Sequence, residues 1–163
     1  MSAQPSVGAS AAPRSADELR LERTFEGILA TRMAGLEFLN PRLRVAALGF
    51  RDWRGLRLGA LVTPWCINLM LMDGAAEALP PVRQGDAHPW AFPSGVYGFM
   101  AHTEADVGTY HQCSLFSPVT EFASQEDAEQ AAHAALEALL QAPQPAPVAG
   151  PARLSRRGLL TGG

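Results

Sequence analysis

At 163 residues, 47% apolar and 18% charged, the chain has the composition of one soluble globular domain with tails. No apolar run approaches the roughly 18–20 residues that span a bilayer as a helix. Residues 58–152 hold one arginine against ten acids, net −9, which argues against nucleic acid as a partner.

Charge is unevenly spread. Residues 1–57 carry nine arginines against six acids, net +3, and the last eleven residues add Arg153, Arg156 and Arg157 with no acid. Such an acidic body suits a basic peptide, and the chain's own tail is one.

Residues 1–14 are Ala/Ser/Pro-rich without an apolar h-region, and read as a disordered polar leader rather than a signal peptide. The expected compartment is the cytoplasm. Ser15-Ala-Asp-Glu18 is a capping box, and behind it Leu21, Phe25, Ile28, Leu29, Met33 and Leu36 recur at helical spacing. A helix is expected over about Ala16–Ala34, closed by Gly35 and Asn40-Pro41.

Arg42–Trp53 alternates loosely into a turn at Asp52–Gly55, and Leu56–Val62 returns as its hairpin partner. Thr63-Pro64-Trp65 breaks this strand from the next, Ile67–Met72. Ile67, Leu69 and Leu71 form one apolar face of that strand, and Asn68, Met70 and Met72 the other. A strand apolar on both sides is either covered front and back or leaves one face for a partner.

Ala75–Pro93 is long and proline-rich, and contains Trp90 and Phe92. It reads as an ordered, functional connection. Gly95–Thr103 and Thr109–Phe116 form a second hairpin about Ala105–Gly108. Ser124 then caps a helix whose stripe includes Ala128, Ala132, Leu136 and Leu139. From Pro143 the composition is that of a Pro/Ala linker, followed by a basic tail.

The pattern predicts an α+β, two-layer domain: an antiparallel sheet of about five strands flanked by an N-terminal and a C-terminal helix, both on one face. The expected organisation is a disordered leader (1–14), a single α+β domain (15–142), and a linker with an Arg-Arg tail (143–163). One sheet face, with Asn68 and Met70, is then left for solvent or a partner.

One constellation suggests metal chemistry. A tight turn at Ala105–Gly108 would pair His102 with His111 and set Cys113 on the same face, within reach of one ion. A one-residue slip would separate the histidines. The other cysteine, Cys66, forms no C-x-x-C with Cys113, and both read as buried thiols. No nucleophile elbow or phosphate loop is present, so neither catalysis nor a cofactor is expected. Ser155-Arg156-Arg157-Gly158-Leu159-Leu160 resembles the twin-arginine export consensus, but it stands far from the N-terminus and lacks a following apolar segment.

Several stretches together resemble the [NiFe]-hydrogenase assembly chaperones of the HybE type, related to HoxT and HupJ. They are Phe38-Leu-Asn-Pro41, Val62-Thr-Pro-Trp-Cys-Ile67, Phe92-Pro-Ser-Gly95, Cys113-Ser-Leu-Phe-Ser-Pro118 and the Arg156-Arg157 tail. The resemblance implies a non-enzymatic cytoplasmic chaperone. Its partners would be the small-subunit precursor with its twin-arginine leader, and the large subunit as a second candidate. No nucleic acid and no membrane insertion are expected. The residues expected to meet partners are Pro64, Trp65, Asn68, Met70, Trp90 and Phe92, the acids Glu104, Asp106 and Glu121, and Arg156 and Arg157. The competing reading is a metal- or redox-handling maturation protein using His102, His111 and Cys113 with Cys66.

Overall fold

The structure is a computed structural model that describes residues 15–142. Among these the chain builds α1 (Ala16–Ala30), β1 (Ala46–Trp53), β2 (Leu56–Val62), β3 (Ile67–Met72), β4 (Ala87–Phe92), β5 (Gly95–Glu104), β6 (Gly108–Phe116) and α2 (Gln125–Leu139). The strands form one antiparallel sheet in the order β1-β2-β3-β6-β5-β4. The α+β class and the two flanking helices are as expected. The expectations for residues 1–14 and 143–163 lie outside the described residues.

Two features differ from expectation. Part of the proline-rich connection is a sixth strand, β4, hairpinned onto β5. It lies at the sheet edge, the one place where a strand tolerates Pro89, whose nitrogen has no hydrogen to donate. The helices also occupy opposite faces rather than one. Ile67, Leu69 and Leu71 of β3 pack with Ala128, Ala132, Leu136 and Leu139 of α2. Met70 and Met72 pack with Leu21 and Phe25 of α1. The strand has two apolar faces and each helix one apolar stripe, so each stripe covers one face.

The capping box opens α1 as expected: Ser15 Oγ accepts from Glu18 N at 3.1 Å, and Ser15 N donates to Glu18 Oε1 at 2.9 Å. The helix ends earlier than expected, at Thr31, whose hydroxyl donates to the carbonyl of Gly27 at 2.7 Å; beyond it Met33 N donates to Ile28, five residues back, in place of the helical i−4 partner. Glutamates of α1 also close the β1 edge. Glu22 Oε2 accepts from Ala47 N at 2.8 Å and Glu18 Oε2 from Phe50 N at 3.4 Å. Carboxylates placed on edge N–H groups block pairing with a foreign strand there.

The sheet is strongly curled. Trp53 of β1 stacks on Phe92 of β4 with ring centroids 4.3 Å apart, although these strands are opposite edges of the sheet. Helix α2 fills the concave side. At its end the carbonyl of Leu139 accepts from Ser94 Oγ at 2.9 Å, tying the helix to the β4–β5 turn. Gly49 allows the approach of α2 to β1: its φ is +70°, and a Cβ there would lie 2.6 Å from Leu136 Cδ1.

Candidate partner-binding site

The turn between β2 and β3 is built around Thr63, which is fully buried. Its Oγ1 accepts from the N–H of Trp65 at 3.2 Å and of Cys66 at 2.9 Å, and donates to the carbonyl of Cys66 at 3.0 Å. Threonine does this because a β-hydroxyl reaches the backbone two and three residues on. Pro64 is buried, and its carbonyl accepts from Asn40 N at 2.9 Å.

Asn40 then reaches a third segment. Its Nδ2 donates to the carbonyls of Val119 at 3.0 Å and Phe122 at 2.9 Å, while its Oδ1 accepts from Arg42 N at 2.9 Å. Three stretches distant in sequence thus close into one hydrogen-bonded knot. The three joined stretches carry exposed Leu36 and Phe38, at 38% and 44%, just before Asn40, half-buried Trp65 just after Pro64, and exposed Glu121 between Val119 and Phe122. Trp65 rests on Phe25 of α1 with ring centroids 6.4 Å apart. Of these, Pro64, Trp65 and Glu121 were expected to meet partners, and Leu36, Phe38 and Asn40 were not. The stretch Phe38–Pro41 reads as part of the family resemblance, and its Asn40-Pro41 as a helix stop.

The remaining expected partner residues do not join this pole. Met70 is fully buried beneath α1, so the convex face is covered at β3. Asn68 is 4% exposed, with its Nδ2 donating to Gln112 Oε1 at 3.1 Å. Phe92 is core, on the concave side with α2, and Trp90 packs beside it; neither meets Trp65, which lies on the other face. Glu104 is paired with Arg32 at 2.7 Å, and Asp106 is exposed in the β5–β6 turn. Arg156 and Arg157 lie outside the described residues.

The proposed metal geometry fails. His102 pairs with Tyr110, and His111 with Ala101, so the two histidines point to opposite faces. The connecting loop holds three residues rather than two, because Gly108 closes it at φ +85°. Among the described residues no group of three or more His, Cys, Asp or Glu side chains is placed to hold a metal ion. The thiols of Cys66 and Cys113 are both pushed up, mainly by burial, which keeps them protonated and poorly nucleophilic.

His111 instead belongs to the core polar set. Trp90 Nε1–H donates to its Nδ1 at 3.1 Å, which leaves the proton on Nε2, a buried atom with no partner among the described residues. Burial, reinforced by His88 with ring centroids 6.0 Å apart, pushes His111 below its ordinary 6.5, while Asp73 opposes in part. The unfolded chain therefore takes up this proton before the folded one does. Stability is full above about pH 6.5 and falls as the pH drops below it. Urea midpoints at about pH 7.5 and 5.5 should show this loss. The loss should be smaller in His111→Gln, which keeps an acceptor for Trp90 but cannot titrate.

Comparison with known proteins agrees with the motif reading. Residues 16–162 match the family model described as "[NiFe]-hydrogenase assembly, chaperone, HybE". The hydrogenase expression/formation protein HupT of Azotobacter chroococcum is 38% identical over 132 residues, covering 80% of this chain and 85% of that protein. HoxT of Azotobacter vinelandii is 38% identical over 135 residues, covering 82% and 84%. The solution structure of HybE from Escherichia coli shares the fold, with a TM-score of 0.65 at 24% identity over 86% of this chain and 88% of that one. The chain belongs to the HybE family of [NiFe]-hydrogenase assembly chaperones.

Proposed function

We propose that this protein is a non-enzymatic chaperone acting in the cytoplasm, where it binds the small-subunit precursor of a [NiFe]-hydrogenase through its twin-arginine leader before export. The observation that carries the reading is the pole built by Asn40, Thr63 and the Val119–Phe122 loop. The stretches it joins carry exposed Leu36 and Phe38, half-buried Trp65 and an exposed carboxylate, Glu121. A leader joins paired guanidinium groups to an apolar stretch. An apolar pole on a body of net −9 complements both parts.

Holding the exposed apolar side chains on a rigid knot reduces the ordering cost of binding. No helix among the described residues is long and apolar enough to cross a membrane. The test is a pull-down with the tagged full chain from hydrogenase-expressing cells, identifying partners by mass spectrometry. Recovery of the small-subunit precursor with its leader supports the proposal. Recovery of the large subunit alone, or of neither, contradicts it.

A further inference from the structure

Helix α1 covers only part of the convex sheet face. Phe99 and Ala101 of β5 point into the concave core, so Val96, Gly98, Met100 and His102 point the other way. There Val96 is 69% and Met100 43% exposed, beside exposed Ala87, Pro89 and Ala91 of β4. A Cβ on Gly98 would meet nothing nearer than Ala87 at 4.0 Å, so the surface between Val96 and Met100 is a shallow, small-residue trough. One end of the trough carries acids: Glu104, held to Arg32 at 2.7 Å, ends β5, and exposed Asp106 lies in the next turn. The other end is the Pro93-Ser94 turn, to which the end of α2 is tied through Leu139.

We infer that this trough is occupied by the chain's own C-terminal segment, residues 143–157. Three observations agree on that occupant. The described chain stops at Ala142, three residues beyond the Leu139 carbonyl held at the apolar end of the trough. Residues 143–152, PQPAPVAGPA, cover about 31 Å as extended proline-rich chain, against about 33 Å for the ten residues of β5. Such a span brings Arg153, Arg156 and Arg157 to the end of the trough that holds Asp106 and the Glu104–Arg32 pair. The proline and alanine side chains match a flat surface of alanine, proline and glycine. Tethering makes the contact intramolecular, so weak contacts suffice. The inference is independent of which precursor the protein serves.

The experiment uses the full chain with Ser155→Cys carrying a maleimide nitroxide and with methionine methyl groups labelled with carbon-13. Buried Cys66 and Cys113, with their raised pKa values, leave the new thiol as the reactive one. The Met100 methyl should lose more than half its intensity relative to the reduced, diamagnetic sample. It should recover on adding salt, or in the variant combining Arg156→Ala with Arg157→Ala. An unbroadened Met100 overturns the inference. So does broadening that appears only when spin-labelled protein is mixed with separately methyl-labelled protein, which would make a second copy the occupant.

Discussion

Asn40→Ala should lower the unfolding free energy by about 3–4 kcal/mol, a large share of the roughly 5–15 kcal/mol typical of a domain. Asn40 is 3% exposed, and its side chain satisfies two carbonyls and one N–H belonging to other residues. Alanine leaves the Val119 and Phe122 carbonyls without that donor, and each buried group deprived of its partner costs about 1–3 kcal/mol. Asn40→Asp should not rescue, because a carboxylate has no hydrogen to donate to those carbonyls. Urea unfolding with an unchanged slope would measure the effect. A loss below about 1 kcal/mol would mean that water replaces the amide and the knot is not rigid.

Trp65→Ala should weaken precursor binding by about 2 kcal/mol, close to 30-fold, as truncating an aromatic anchor does. The Thr63 bonds to the backbone do not involve the indole, so the turn should keep its geometry. Contact with Phe25 and the α1-side cluster will be lost, and some stability with it. Phe38→Ser separates the two effects, since Phe38 is 44% exposed and belongs to neither core cluster. It should weaken binding with little change in melting temperature. If Trp65→Ala unfolds the protein and Phe38→Ser binds normally, this pole is not the partner surface.

The parts of the fold that were legible from sequence are those set by local rules. Alternation placed β2 and β3, and hydroxyl-plus-carboxylate signals placed the starts of both helices at Ser15 and Ser124. What was missed depends on packing at a distance. His88, Trp90 and Phe92 alternate as a strand would, but the surrounding prolines mask the pattern until β5 supplies a neighbour. Apolar residues on both faces of β3 showed that it would be covered twice or exposed once, and no local rule says which helix goes where. The histidine pairing turned on one residue of loop length, which Gly108 decides. The bridging role of Asn40 was not legible because its partners lie 79 and 82 residues away.

The most direct test of the central claim is calorimetric titration of the full chain with the purified small-subunit precursor, once with its twin-arginine leader and once without. The account predicts saturable binding of the intact precursor, weakened by Phe38→Ser, and at least a tenfold loss when the leader is removed, about 1.4 kcal/mol. Equal affinity for the two forms, or no binding of either, would contradict it.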